Sequence, residues 1–276
     1  MPFELQVAVV GGGPAGLAAG LHLARAGIAH RVFERRRPGG LLHAAGLVEC
    51  YPGFPGGIQG PRLAAAMVRQ ARVLGVLIEQ AEVTGARQHE GRFCLDAGAA
   101  WTASCLILAT GTVPRGVAPE GFAGPVHHGT DSLPRRLAGE RVWISGGGDA
   151  AFDSALQARD RGASVEVFLR GEPRAMELLV RRAAEAGVQV HRGSSVAQAL
   201  TEGAPDHLLI CHGRDPEDLL WRQLMGVEAR PTWEVETHVR GLFLAGDIVR
   251  GNVRYAAVAA GDGLRAARLA EALLGR

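Results

Sequence analysis

The sequence contains no lysine; all 30 of its basic residues are arginine. Without a side-chain amine no Schiff base can form, which excludes pyridoxal-phosphate and lysine-aldol chemistry. A P-loop ATPase is excluded as well, because its phosphate loop requires a lysine. Cysteine is scarce, with residues only at Cys50, Cys94, Cys105 and Cys211. None forms a CxxC pair, and no Cys/His grouping has zinc-site spacing, so no metal is expected. A chain of 276 residues can build a core without disulfides, so the thiols are read as reduced and the location as cytoplasmic. A net charge of only +2 argues against nucleic-acid binding. No apolar run approaches the ~18 residues of a membrane span. The strand pattern begins by Gln6 with no secretory leader ahead of it, so no membrane association is expected.

Glycine, in contrast, is abundant at 39 residues. Much of it falls in two clusters. Leu5–Val10 reads as a buried strand, followed by Gly11-Gly12-Gly13-Pro14-Ala15-Gly16. A helix over Leu17–Ala26 and a strand over His30–Phe33, ending at Glu34, complete the unit. The pattern returns 135 positions later. The strand Arg141–Ser145 leads into Gly146-Gly147-Gly148-Asp149-Ala150-Ala151, then a helix over Phe152–Arg161 and a strand over Ser164–Phe168. This is an internal repeat of one βαβ nucleotide-binding unit. Further helices are expected over Arg62–Leu74, Met176–Ala186 and the end of Asn252–Leu273. Strands are expected at Val76–Glu79, Arg92–Asp96, Cys105–Leu108, Val188–His191, His207–Cys211 and Gly241–Ala245. Their alternation predicts an α/β fold with parallel sheets.

The first glycine of each turn makes the bend, the second admits a pyrophosphate, and the third lets helix and strand pack. The phosphate then sits at the helix N-terminus. Gly11, Gly13, Pro14, Ala15 and Gly16 are the first such cradle; Gly146, Gly148, Asp149, Ala150 and Ala151 are the second. Glu34 at the end of the first unit's second strand is an acceptor for a ribose 2′-OH, as FAD or NAD requires. At the matching place the second unit has Leu169, with Arg170 and Arg174 close by. Arginine suits a 2′-phosphate, so this site reads as one for NADPH. Ala109-Thr110-Gly111 follows an apolar strand, and Gly246-Asp247 ends another. An Asp there can accept hydrogen bonds from a polyol such as a ribityl chain.

Taken together these motifs resemble the two-dinucleotide-binding flavoproteins of the thioredoxin-reductase-like pyridine nucleotide-disulfide oxidoreductase family. The resemblance is carried by Gly11–Gly16, Gly39-Gly40-Leu41-Leu42, Val48–Pro61, Ala109–Gly111, Gly146–Ala151 and Gly246-Asp247. Arg254-Tyr255-Ala256 and the helix start after it resemble the family's flavin-side C-terminal segment, and Val83 falls where its backbone meets the adenine. The resemblance implies two Rossmann-like three-layer domains, the second inserted into the first. It implies an FAD-binding domain over 1–113 and 240–276 and an NAD(P)H-binding domain over 114–239. It also implies a homodimer. Gly40, Leu41 and Tyr51 are then flavin-side residues, and Arg35 is a candidate for the adenosine phosphate.

The chain departs from thioredoxin reductases where those carry their CxxC. Here the stretch reads His127-His128-Gly129-Thr130-Asp131-Ser132-Leu133. Dithiol exchange with a flavin needs two thiols, so ordinary thioredoxin reductase activity is not expected. The nearest branch is that of the ferredoxin/flavodoxin–NADP reductases. A hairpin usual in the family is trimmed between Ser194 and His207. The expected function is an FAD-dependent oxidoreductase taking hydride from NADPH and passing electrons to an acceptor, ferredoxin being one option. Two alternatives stand beside it. One is a flavin-binding protein with a vestigial nicotinamide domain. The other is a single-thiol disulfide reductase using Cys50, which replaces the family's usual Asn; a packed small residue is the plainer reading of that position.

Overall fold

The structure is a computed structural model and describes residues 2–226 and 234–276. The chain divides into two compact units. One comprises Met1–Leu42, Glu49–Val113 and Asp215–Arg276; the other comprises His43–Val48 and Pro114–Arg214.

The first unit opens with β1 (Phe3–Val10), α1 (Pro14–Arg25) and β2 (His30–Phe33). Val7 to Val10 are all buried, as a strand covered on both faces requires. Helix α1 begins at Pro14, ahead of the expected Leu17, because proline at the first helical position loses no hydrogen bond. Then follow α2 (Gly60–Val73), β3 (Ile78–Glu79), β4 (Gly85–His89), β5 (Arg92–Asp96) and β6 (Ala100–Leu108). The sheet order is β3-β2-β1-β6-β5-β4. Its first four strands are parallel, while β6, β5 and β4 form an antiparallel meander. That meander departs from the expected all-parallel sheet. Strand β4 escaped the pattern because only Ala86 on it is buried.

The second unit holds β7 (Val126–His127), β8 (Arg141–Ser145), α3 (Asp149–Asp160), β9 (Ser164–Leu169), α4 (Glu177–Glu185), β10 (Gln189–Arg192), α5 (Val196–Ala199) and β11 (His207–Ile210). Its five strands are parallel in the order β7-β11-β8-β9-β10. Successive residues point to opposite faces. Val142, Ile144, Val165 and Val167 therefore pack with Phe152, Ala155 and Ala183 of α3 and α4. Trp143, Phe168, Leu208 and Ile210 pack on the other side with Val196 of α5. Three layers result. Between Ser194 and His207, α5 starts from a capping box between Ser195 and Gln198.

The chain returns to the first unit through α6 (Leu219–Met225), β12 (Leu242–Leu244) and α7 (Ala256–Leu273). Strand β12 pairs in parallel with β6. The expected return at 239/240 thus moves to 214/215. Leu220 and Trp221 are the reason: both are buried in the first unit's core with Phe93 and Trp101. The Ala86 N–H also donates to Gln223 Oε1 at 2.8 Å, joining α6 to β4. The second correction is the segment 43–48, expected with the FAD-binding part and packed instead in the second unit. Among the described residues, no helix is long and apolar enough to cross a membrane, and no His/Cys/Asp/Glu group is placed to hold a metal.

Candidate functional site

In the first unit the candidate residues converge on the turn from β1 to α1. Gly11 has φ +107°, and a Cβ there would run into Ala109 O at the end of β6. A Cβ on Gly16 would strike Gly11 O. These two glycines are sterically required. Gly13 differs: among the described residues, the one atom within 4 Å of its Cβ position is Gly40 Cα, at 3.9 Å, so its outer side is open. Gly13 is the N-cap of α1 and supplies no side-chain cap. The first N–H groups of the helix thus have no side-chain cap, and the positive end of the helix dipole lies behind them.

Glu34 stands over this turn. Its Oε2 accepts the Gly12 N–H at 2.7 Å, and its Oε1 accepts the Arg36 N–H at 2.8 Å. Each carboxylate oxygen keeps acceptor capacity for a ribose diol. Arg35, next along, is engaged by Glu217 at 3.1 Å and Glu82 at 3.4 Å. Its charge is therefore met by carboxylates within the unit. Glu217 also fixes the Ala109–Gly111 segment. The Thr110 hydroxyl donates to Glu217 O at 2.6 Å, and the Glu217 N–H donates to Gly111 O at 2.9 Å.

The C-terminal segment closes on the same helix start. Gly246 has φ +79°, and its Cβ position lies 2.9 Å from Ala15 Cβ. A Cβ on Gly263 of α7 would collide with Ala15 O. Asp247 is half-buried in the short turn after β12. Asp262, which sequence reasoning did not single out, is the anchor. It is 5% exposed and accepts from Arg250 Nε at 2.7 Å, from Arg250 Nη2, and from the Gly246 N–H at 3.2 Å. The available signal was a carboxylate between two glycines in an apolar helix.

The remaining candidates of this unit are Gly40, Leu41, Tyr51, Val83, Arg254, Tyr255 and Ala256. Gly40, at φ +56°, approaches Gly13 Cα with its Cβ position 3.1 Å away. Leu41 is exposed beside it. Tyr51 is half-buried, its ring 6.1 Å from that of Phe54, and Cys50 before it is exposed. Arg254 is half-buried, Tyr255 caps the start of α7, and Ala256 is its first residue. Val83 is buried in the core.

The second unit repeats the design between β8 and α3. Gly146, at φ +142°, has no room for a Cβ because of Cys211 O at the end of β11. Gly148 faces open space and is the N-cap of α3, again with no side-chain cap. Ala151, in the third-glycine position, is buried under the helix. The Asp149 carboxylate accepts the Met176 N–H at 2.8 Å, and Gly147 O accepts the Arg174 N–H at 2.7 Å. These bonds bring the loop after β9 onto the glycine turn. Ala150, Arg170 and Arg174 are exposed there. Cys211 is packed against the turn, and burial pushes its thiol up to about 11. The Cys105 thiol, buried in β6, is likewise pushed up to about 11.

Both cradles have the open glycine and the uncapped helix start; the first has Glu34 after its next strand, the second has Arg170 following Leu169, so the residues present fit FAD and NADPH. The pyridine nucleotide-disulphide oxidoreductase family model matches residues 5–263. The chain is 31% identical to a ferredoxin–NADP reductase of Ignicoccus hospitalis, over 91% of this chain and 92% of that protein. It is similar in structure to a Lactococcus lactis thioredoxin reductase, with a TM-score of 0.87 at 25% identity, covering 98% of this chain and 99% of that one. A thioredoxin reductase of T. acidophilum has the same fold, with a TM-score of 0.86 at 22% identity over 99% of both chains. The chain belongs to the pyridine nucleotide-disulphide oxidoreductase family and is an FAD-dependent NAD(P)H oxidoreductase.

Proposed function

We propose that the protein takes hydride from NADPH in the second unit, passes the electrons through FAD in the first, and delivers them to a small redox protein of the ferredoxin class. One observation carries this reading: the chain has no pair of cysteines able to exchange with a disulfide. Its four thiols are all free, and none stands within CxxC spacing of another. Two of them are held well above the range of a reactive thiolate by burial. The similarity to a protein named ferredoxin–NADP reductase supports the same acceptor class.

In this reading bound FAD supplies the conversion between a two-electron donor and one-electron acceptors. The chain binds and orients. Gly13 and the start of α1 receive the FAD pyrophosphate, Glu34 the adenosine ribose, and Asp247 the ribityl chain. Gly40, Leu41, Tyr51, Arg254, Tyr255 and Ala256 border the flavin, and Val83 lies at the adenine. Arg35 steadies the adenosine side through Glu217 rather than meeting a phosphate. In the second unit Gly148 and the start of α3 receive the NADPH pyrophosphate, and Arg170 and Arg174 the 2′-phosphate. A homodimer belongs to this reading and is supported by the exposed apolar residues Val73, Leu74 and Leu77 at the end of α2 and just beyond it.

Anaerobic stopped-flow spectroscopy tests the whole sequence. NADPH is expected to bleach the flavin band, and oxidised ferredoxin to restore it faster than thioredoxin or a small aromatic disulfide does. Restoration by the disulfides alone would overturn the acceptor class. No bleaching at saturating NADPH would leave a flavin-binding protein without reductase activity.

A further inference from the structure

Four polar side chains of the second unit form one hydrogen-bonded line. Glu140 directly precedes β8, and His207 opens β11. His207 is in register with Val142, and His127 of β7 with Leu209. In-register and alternate residues share a sheet face, so Glu140, His207 and His127 all lie on the face of Val142 and Leu209. Ser132 ends the short turn Thr130–Ser132 after β7 and is exposed. That turn is held in place: the Thr130 hydroxyl donates to Ala44 O, and Arg161 Nη1 donates to Thr130 O, each at 2.8 Å. Glu140 Oε2 lies 2.7 Å from His207 Nε2, His207 Nδ1 lies 3.0 Å from His127 Nε2, and His127 Nδ1 lies 2.9 Å from Ser132 Oγ.

The carboxylate at one end fixes the direction of every proton when both imidazoles are neutral. An ionised Glu140 only accepts, so His207 carries its proton on Nε2. His207 Nδ1 is then bare and accepts from His127 Nε2–H. His127 Nδ1 is bare in turn and accepts from the Ser132 hydroxyl. Burial, then His207 and His128, hold the His127 ring below the usual histidine range, so it is neutral at pH 7. A serine bonded to a neutral imidazole that is backed by a carboxylate has the polarity of a nucleophile, its base and its orienting group, here with a second imidazole interposed. We propose that Ser132 is a second reactive centre of this protein, a nucleophile toward small carboxylic esters with His127 as its base. Ser132 Oγ bonds to the acyl carbon while its proton passes to His127 Nδ1, and the leaving alcohol takes that proton. Water then attacks the acyl group; its proton returns through Nδ1 to Ser132, and the acid is released. Ester and water become acid and alcohol, and nothing is oxidised or reduced. His207 and Glu140 are positioning residues that hold the His127 tautomer and meet the charge of the imidazolium. Ser132 Oγ also lies 2.9 Å from Gly129 O. Acid that protonates the line makes His127 Nδ1–H a donor to Ser132 Oγ, turns the hydroxyl proton to Gly129 O and removes the base.

Acetyl transfer from p-nitrophenyl acetate to the flavin-loaded protein tests this. It is read by mass spectrometry of acid-quenched samples and by the rate of p-nitrophenol release. The sequence has no lysine amine to compete for the acetyl group. The adduct is expected on Ser132, with Ser132-dependent release of p-nitrophenol. Ser132 is exposed, so Ser132→Ala keeps the fold, checked by circular dichroism, and should lose both signals. His127→Gln should slow acylation about a hundredfold, the loss of a general base. The titratable groups facing His127 are His207 of β11 and the adjacent His128, with Glu140 behind His207. In the wild type the rate should fall as pH drops below about 6.5. Glu140→Gln should slow acylation less than His127→Gln and move that midpoint to lower pH, because no carboxylate then stabilises the imidazolium. A merely structural loss would leave the midpoint in place and would overturn the role of Glu140 and His207. No adduct on Ser132 together with equal p-nitrophenol release in Ser132→Ala would overturn the proposal. So would equal acylation of Ser132 in the wild type and in His127→Gln.

Discussion

Asp153 Oδ2 accepts the backbone N–H of Gly46 at 2.8 Å, joining helix α3 to a loop residue 107 positions earlier. Gln157 Nε2 donates to Asp153 Oδ2 and to Ala44 O, each at 3.0 Å, and the buried Thr130 hydroxyl donates to Ala44 O at 2.8 Å. The segment 43–48 is thereby an integral part of the second unit. A Cβ at Gly46 would run into Asp153 Oδ1. Gly46→Ala should cost about 1–3 kcal/mol through overpacking, read as a lowered melting temperature. Burial is the larger influence on the Asp153 carboxyl and raises it above its usual range, against the lowering by Gly46 and Gln157. The folded state then holds this proton to higher pH than the unfolded chain. Its contribution is greatest in acid and falls as pH rises through the raised value. Asp153→Asn should flatten that part of the stability profile above about pH 4, measured by urea unfolding.

Glu34 offers a direct test of the first cradle. Glu34→Ala removes two bonds to the turn backbone and the ribose acceptor. Hydrogen bonds to a charged group are worth ~1.5–3 kcal/mol each, so FAD should bind about ten- to a hundredfold more weakly. Fluorescence titration of the flavin-stripped protein reads this. Unchanged affinity would remove Glu34 from the site.

The Arg250–Asp262 pair braces the C-terminal segment. Asp262 is almost fully buried, and Arg250 supplies its charge partner. Asp262→Ala leaves an unpaired guanidinium and an unmet Gly246 N–H, at a cost of about 3–5 kcal/mol. Both the melting temperature and FAD retention should drop. Removing both partners, with Arg250→Met added, should recover part of the stability but not the geometry of the Gly246 turn.

His127 is buried in a chain of four polar side chains. Its Nδ1 lies 2.9 Å from Ser132 Oγ, its Nε2 lies 3.0 Å from His207 Nδ1, and His207 Nε2 lies 2.7 Å from Glu140 Oε2. Burial, then His207 and His128, hold the His127 ring below the usual histidine range. As pH falls, the unfolded chain binds this proton first. Stability from His127 is thus full above about pH 6.5 and lost as pH falls below it. Denaturant unfolding at pH 7.5 and 5.5 should show the loss in the wild type and a smaller one in His127→Gln.

In the proposed function Arg170 and Arg174 receive the 2′-phosphate and so set the choice between the two nicotinamide nucleotides. Replacing both by Ala should lower the preference for NADPH over NADH at least tenfold, with NADH affinity unchanged. Retained preference would assign the 2′-phosphate to other residues.

Both glycine turns, Glu34 and the βαβ repeat were legible because their chemistry is local. Each is specified within about 25 residues by bends, helix starts and strand ends. The boundary at 214/215 was not legible, since it depends on Trp221 finding Phe93 and Trp101 far along the chain. Strand β4 carries almost no buried apolar side chain and is held by its neighbour β5. Asp262 and Gly46 owe their roles to partners that only the packed helices bring near.

The excursion of residues 43–48 bears on the order of assembly during synthesis. Every residue of the second unit has left the ribosome once Arg214 has emerged. The first unit must wait for β12 and α7, which complete its sheet and cover α1. The inserted unit can therefore close while the enclosing one is still unfinished, reversing the usual N-terminal-first sequence. An excised piece spanning only 114–214 would lack Ala44 and Gly46, and would leave Asp153, Gln157 and Thr130 without their backbone partners.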